Sequence, residues 1–235
     1  EEKWFKVREE INPTEFLGYE FDKLEGVIIK IYKGKDFVNE AKAGDEVEIV
    51  TNQTPFYGES GGQVGDQGII YSNDCNVKIN DTQKQIGDIH VHYGKIEKGS
   101  LKVNQTVNLE IDVQRRNNAR AYHSATHLLH EALRRTLGKH VTQKGSLVSP
   151  EKLRFDFSHN KIIDDKEIKK IENYVNDMVN TEADVKTRIM TPKEAVEKGA
   201  LAMFGEKYGD EVRVLSMGKE NGEYFSTELC GGTHV

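Results

Sequence analysis

The sequence has 235 residues with 36% hydrophobic and 31% charged side chains, which is typical of a folded domain and excludes a disordered chain. It has no secretory signal and no apolar run of the about 18–20 residues that cross a bilayer, and its two cysteines, Cys75 and Cys230, cannot form a disulfide framework. A cytosolic protein is therefore expected. The net charge of −6 argues against a general nucleic-acid binder and gives no reason to expect a DNA partner.

The chain is predicted to fold as an α+β protein in three segments. Residues 1–21 are polar and predict a lead-in segment; the absence of Met at position 1 suggests a piece of a longer protein. Residues 22–113 alternate between apolar and polar positions in short runs, which predicts a small antiparallel β-barrel or sandwich. These runs are GVIIKIY, EVEIV, GIIY, NVKIN, HVHYGKI and VNLEIDV.

Residues 114–235 predict helices packed on an antiparallel sheet. The first helix presents Ala121, Leu128, Leu129, Ala132, Leu133 and Leu137 on one side and stops at Gly138. A second helix starts near Asp165, capped by Asp164 or Asp165, with Ile168, Ile171, Val175, Met178 and Val179 toward the core. A strand at 185–189, a short helix opened by Pro192 and strands at 212–217 and 224–228 follow.

Two pairs of potential metal ligands stand far apart in the sequence. His123 and His127 are four residues apart on the first helix, so both imidazoles can reach one ion. Cys230 and His234 flank Gly-Gly-Thr, a turn that can direct both side chains to one point. Thiolate and imidazole ligands favour Zn²⁺ over Mg²⁺ or Ca²⁺. A helix rich in histidine could also simply expose its imidazoles to solvent.

The zinc chemistry remains open at this level. Ser124 follows the first histidine where a thermolysin-like protease carries the general base Glu, so a peptidase is not expected. Four protein ligands describe a closed structural site, whereas a catalytic zinc keeps one position for water. Thr126, between the histidines, and Gln143, after the helix, are polar candidates, although a helical Thr commonly bonds to a carbonyl one turn back.

The stretch 54–68, TPFYGESGGQVGDQG, is rich in glycine and includes Gly61, Gly62 and Gly65. It matches neither common phosphate-binding pattern. Such a segment turns sharply or lets another group approach closely. A hairpin with a bulge in the barrel is an equally good interpretation.

Five stretches together resemble the editing region of bacterial alanyl-tRNA synthetases. They are TPFYGESGGQVGD at 54–66, HSATHLLHEALRRTLGKHVTQKGSLV at 123–148, LRFDFSH at 153–159, FGEKYGDEVRV at 204–214 and CGGTHV at 230–235. The resemblance implies a β-barrel followed by a domain that hydrolyses serine or glycine esters of alanine tRNA. It implies one zinc ion held by His123, His127, Cys230 and His234, and an editing pocket that includes Thr126 and Gln143, bordered by the glycine-rich stretch. ATP would be used only by the family's aminoacylation domain, which these residues lack.

The partner implied is the acceptor end of alanine tRNA, with no membrane. Between Gln114 and Arg154, nine basic residues against two acidic ones give a net charge of +7. Within this segment the candidate tRNA contacts are Arg115, Arg116, Arg134, Lys139 and Lys144. A solvated helix face is the simpler interpretation of the same charges.

Three alternatives remain at this level. The editing domain of threonyl-tRNA synthetases also pairs HxxxH with CxxxH, although the glycine-rich stretch favours the alanyl branch. A zinc-stapled tRNA-binding module without catalysis would close the metal with all four ligands. A free-standing editing protein would need a native start near residue 1, and Glu1 argues against it.

Overall fold

The computed structural model of this chain describes residues 2–86, 88–201 and 209–235. The chain divides into two compact units. The first contains residues 1–60 and 64–116, and the second contains residues 61–63 and 117–235. The three-residue segment Gly61–Gln63 thus belongs to the second unit although the residues on both sides of it belong to the first.

Six strands of the first unit close into an antiparallel ring. Five of them contain one alternating run in full, and the sixth, Thr106–Ile111, contains the first five residues of VNLEIDV. The elements are α1 (Glu2–Glu10), β1 (Glu15–Phe16), β2 (Lys23–Lys33), β3 (Asp36–Val38), β4 (Glu40–Lys42), β5 (Glu46–Thr51), β6 (Gln53–Thr54), β7 (Gly68–Tyr71), β8 (Cys75–Gln85), β9 (Ile89–Lys102) and β10 (Thr106–Ile111). The ring runs β2, β5, β9, β8, β7 and β10, and β10 pairs again with β2. The predicted small antiparallel barrel is confirmed.

Alternation places one side of each barrel strand in a common core. Ile28, Ile49, Val77, Ile96 and Leu109 come from five different strands and are all buried in one cluster. Inward and outward side chains alternate along a barrel strand, which explains why apolar and polar residues alternate in these stretches of the sequence.

The N-terminal segment contains a helix that the sequence pattern did not predict. Helix α1 buries Trp4 and Val7 in a second cluster with Val50, Ile89 and Val91. Only two of its nine residues supply this apolar contact, which is too sparse a pattern to identify a helix from the sequence.

A buried ion pair ties together three segments of the first unit. The Arg116 guanidinium is fully buried and forms a bidentate pair with Asp66. It also donates to the carbonyl oxygens of Gly18 at 2.7 Å and Pro55 at 2.8 Å. Arg116 was predicted as a tRNA contact, and this prediction needs correction because its guanidinium is buried and bonded within the unit.

The second unit packs two long helices against antiparallel strands. Its elements are α2 (Val113–Leu137, which begins in the first unit), β11 (Gln143–Val148), β12 (Leu153–Phe157), α3 (Asp165–Asn180), β13 (Lys186–Met190), α4 (Pro192–Glu197), β14 (Val212–Glu220) and β15 (Glu223–Leu229). Strands β11 and β12 form a hairpin, and β13, β14 and β15 form a sheet. Leu128, Leu133, Ile171, Met217 and Phe225 join both helices to this sheet in one core.

Local signals set the ends of the helices in this unit. Gly138, directly after α2, has φ +121°, a conformation that glycine tolerates best. Asp164 caps α3 and forms a capping box with Glu167. On α3 the predicted inward positions Ile171 and Met178 are buried, but Ile168 is 44% and Val179 is 55% exposed, so the apolar face is narrower than expected.

Candidate metal centre

The fold of the second unit brings the two ligand pairs together. Helix α2 supplies His123 and His127, and the segment after β15 supplies Cys230 and His234. One ligand atom from each of the four lies within 4.8 Å of the others. The imidazoles of His123 and His127 stack with centroids 5.3 Å apart, as expected for residues one helical turn apart.

The hydrogen bonds of the three imidazoles leave the same ring atom for the centre of the cluster. In each, Nδ1 lies near a protein oxygen: Gln63 Oε1 at 2.7 Å from His123, Glu228 Oε2 at 2.6 Å from His127 and Ser124 Oγ at 3.2 Å from His234. The Nε2 atoms of His127 and His234 are buried, and no described residue hydrogen-bonds to them. The His123 Nε2 atom lies 3.4 Å from Cys230 Sγ.

These donors fit a single zinc ion. Zn–N distances near 2.0–2.1 Å and a Zn–S distance near 2.3 Å at a tetrahedral centre separate the ligand atoms by about 3.3–3.8 Å. The distance of 3.4 Å between His123 Nε2 and Cys230 Sγ falls in this range, and the four ligand atoms all lie within 4.8 Å of one another. Buried ring nitrogens without a hydrogen-bond partner are costly, and a bound cation would satisfy them.

The electrostatics of the cluster favour a Cys230 thiolate next to a protonated His127. Burial alone would raise the pKa of Cys230, but the nearby charges of His123 and His127 lower it well below the ordinary value. Burial lowers the pKa of His127, yet the charges of Glu228 and Cys230 raise it to about 10. Because metal ligands must be deprotonated, a cation bound here would replace these protons.

A buried carboxylate joins the cluster to a third helical histidine. Glu228 on β15 accepts from His127 Nδ1 and, through its other oxygen, from His130 Nδ1 at 2.8 Å. Burial would raise the pKa of Glu228, but the charges and hydrogen bonds of the two imidazoles lower it to about 2. Glu228 was not predicted as a site residue, and the one signal in the sequence was an acidic residue two positions before Cys230.

The two predicted pocket residues occupy separate elements. Thr126 is buried on α2, and its hydroxyl donates to the Tyr122 carbonyl at 2.8 Å, the bond to the preceding turn that a helical Thr commonly makes. Gln143 opens β11, and its amide donates to Ser146 Oγ at 3.0 Å. The Gln143 Oε1 atom is buried, and no described residue donates to it.

The three glycines of the loop divide between the units. Gly61 and Gly62 both have positive φ and belong to the second unit. Gly65 lies in the first unit, where a Cβ would overlap the Thr82 carbonyl. The close-approach interpretation of this stretch thus has a structural basis at Gly65.

The remaining basic candidates have different environments. Lys139 and Lys144 are exposed, and Arg115 is half-buried. Arg134 donates to the carbonyl oxygens of Lys139 at 3.0 Å and Val141 at 3.1 Å, just beyond the end of α2. Arg134 therefore stabilises the helix terminus.

A cavity of about 700 Å³ lies beside α2. Its lining includes Ala121 and Ala125 of α2, Met217 of β14, Arg213 and His234. Thr126 and Gln143 are not among the residues that line it.

The chain is similar to known tRNA synthetases. The family described as class II (A) tRNA synthetases matches residues 1–115. Over 99% of its length the chain is 53% identical to the alanine–tRNA ligase of Parvibaculum lavamentivorans, 52% to that of Chelativorans sp. and 54% to that of Gluconobacter oxydans. It spans 26–27% of the length of these relatives.

By these matches, the chain belongs to the alanine–tRNA ligase family of class II tRNA synthetases. Four of the five stretches that carried the sequence resemblance lie wholly within the described residues. In the fifth, at 204–214, residues 204–208 lie outside them. No helix among the described residues is both long and apolar enough to cross a membrane.

Proposed function

We propose that this region of the protein is an aminoacyl-ester hydrolase that removes serine or glycine wrongly attached to alanine tRNA. The observation that supports the proposal most strongly is the convergence of His123, His127, Cys230 and His234 on one point, in a chain 53% identical to an alanine–tRNA ligase. Its cofactor is one zinc ion, and its partner is the acceptor end of alanine tRNA. Activation of alanine with ATP belongs to other parts of the relatives, and a cytosolic location is part of the same proposal.

The chemistry explains why such a site is needed. A pocket that accepts alanine cannot strongly exclude glycine, which is smaller, or serine, which adds only a hydroxyl. A second hydrolytic site then provides the missing discrimination. Because the ester is already reactive, the site needs mainly to position a water molecule and to orient the carbonyl group.

Each polar group has a place in this proposal. A zinc ion, when bound, supplies positive charge that orients or polarises the aminoacyl end. The Thr126 hydroxyl accepts a hydrogen bond from the seryl hydroxyl, since its own proton is donated to the Tyr122 carbonyl. Gln143 Oε1, buried and without a described donor, accepts from the substrate amine or from water.

A second candidate function rests on the number of ligands. Four protein side chains can fill a tetrahedral coordination shell and leave no position for water, as in structural zinc sites. In that case the ion staples the segment after β15 to α2, and the exposed Lys139 and Lys144 dock tRNA without turnover.

Hydrolysis of seryl-tRNA(Ala), compared with alanyl-tRNA(Ala), distinguishes the two functions. The purified chain, with its zinc content measured, should release serine much faster than alanine. Cys230→Ala should lose this activity, and its circular dichroism should show whether the rest of the fold persists. One zinc per folded chain with no ester hydrolysis would refute the editing proposal and favour the stapled module.

A further inference from the structure

The segment Gly61–Gln63 reaches the metal centre from a distant part of the sequence. The Gly62 carbonyl accepts from Val148 N at 2.7 Å, and Gln63 forms an isolated parallel bridge with Val148. Gly62 has φ +83°, and a Cβ there would overlap Ser146 Oγ. Glycine is therefore required at position 62 for the segment to lie against β11.

Gln63 is fully buried and uses both ends of its amide. Oε1 accepts from His123 Nδ1 at 2.7 Å and from Thr233 N at 3.0 Å, and Nε2 donates to Thr233 Oγ1 at 2.8 Å. A backbone N–H is always a donor, so the bond to Thr233 N identifies the amide atom beside His123 as the oxygen.

The tautomer of His123 follows from this orientation. Because Gln63 Oε1 can only accept, His123 Nδ1 must carry a proton and donate it. In a neutral imidazole the other nitrogen, Nε2, then holds the lone pair. That nitrogen lies 3.4 Å from Cys230 Sγ, on the side of the metal cluster.

We propose that Gln63 is a positioning residue of the metal centre, which holds His123 as the Nδ1–H tautomer with Nε2 free to bind zinc. The same amide fixes Thr233, the neighbour of ligand His234, beside His123. Gly232 permits this packing, since a Cβ there would overlap the His123 ring and lie 3.1 Å from Gln63 Oε1. The role of the glycine-rich stretch is thereby extended from bordering a pocket to orienting a ligand.

The segment also touches the proposed pocket. Ser146, against which Gly62 packs, accepts from the amide of Gln143. One three-residue segment thus contacts both a metal ligand and the residue that holds Gln143.

The inference rests on the proposed zinc site, and zinc affinity tests it without any activity assay. Gln63→Leu should bind zinc about 10–100-fold more weakly in chelator competition, the usual loss when a group supporting a ligand is removed. Gln63→Glu should stay within about threefold of the wild type, because a carboxylate accepts the same two N–H groups and the Thr233 hydroxyl can turn to donate. Gln67→Leu, the same substitution in the first unit, should bind zinc like the wild type.

A measurement on the unsubstituted chain covers the case in which Gln63→Leu does not fold. In ¹⁵N NMR of the zinc-loaded protein, His123 should show a protonated Nδ1 and a metal-bound Nε2. The reverse assignment, or equal zinc affinity in Gln63→Leu and Gln67→Leu, would overturn the positioning role while leaving the zinc site intact. Failure of the wild type to bind zinc would overturn both, whereas zinc binding without ester hydrolysis would refute the editing function alone.

Discussion

Replacing Arg116 by Met should strongly lower the free energy of unfolding of the first unit, measured in the absence of tRNA. The substitution keeps much of the side-chain volume but removes the guanidinium, which leaves the Asp66 carboxylate buried without its charged partner, although the Tyr57 N–H still donates to it. The carbonyl oxygens of Gly18 and Pro55 lose their donors as well. Removing one partner of a buried ion pair costs about 3–5 kcal/mol.

This loss is large compared with the stability of a domain, about 5–15 kcal/mol. With a urea dependence near 2 kcal/mol per molar, a loss of about 4 kcal/mol lowers the unfolding midpoint by about 2 M. Trp4, the chain's one tryptophan, is buried in the first unit, so its fluorescence reports on that unit.

The matched control is Lys102→Met, in the same unit. Lys102 pairs with Glu40 at 3.9 Å, but both side chains are exposed, so the pair should contribute about 0–1 kcal/mol. If Arg116→Met shifted the Trp4 midpoint as little as Lys102→Met does, the buried pair would not hold the unit together. A loss of tRNA affinity at full stability would restore Arg116 as an RNA contact.

Three further predictions concern the site and the barrel. Glu228→Gln should weaken zinc binding about 10–100-fold in chelator competition, because it removes the carboxylate that orients His127. The control Glu220→Gln, on the exposed end of β14, should bind zinc like the wild type. Equal zinc affinities of the two variants would contradict this role of Glu228. Thr126→Val should reduce the ratio of seryl to alanyl release while changing stability by less than about 1 kcal/mol, and an unchanged ratio would remove Thr126 from recognition of serine. Burial, and to a lesser extent the neighbouring His90, lower the pKa of His92 to about 3, and this imidazole lies near Thr54 Oγ1 and the Ile49 carbonyl. As the pH falls, the imidazole of the unfolded chain takes up a proton before that of the folded chain. The free energy of unfolding should therefore fall by about 2–3 kcal/mol between about pH 6.5 and pH 4.5, and His92→Gln should flatten this pH dependence when unfolding is followed by Trp4 fluorescence. An equally steep pH dependence in His92→Gln would refute the assignment.

The sequence allowed the barrel to be predicted because each strand contributes an alternating face to one core. Helix α2 was readable for a similar reason, since its apolar residues recur at helical spacing and Gly138 marks its end. The hairpin of β11 and β12 was missed because β11 lies half-buried along most of its length and shows no alternation. In such segments, packing against the rest of the fold, more than residue type, determines whether a strand forms.

The four candidate metal ligands could be picked out from the sequence because each pair is local. The residues proposed to orient them could not, because their contacts join distant positions: Gln63 is 60 residues from His123, and Glu228 is 101 residues from His127. The error at Arg116 has the same origin. A positive charge in the sequence does not show whether its partner is a phosphate or a buried Asp66.

Zinc add-back to the metal-free chain tests whether ester hydrolysis depends on the bound ion. The chain is stripped of metal under conditions that preserve its circular dichroism and is then titrated with zinc while serine release from seryl-tRNA(Ala) is followed. Hydrolysis should rise linearly and saturate at one zinc per chain, with alanine released from alanyl-tRNA(Ala) far more slowly throughout. Hydrolysis that is absent at saturation, or that proceeds equally without zinc, would contradict the proposed zinc-dependent editing.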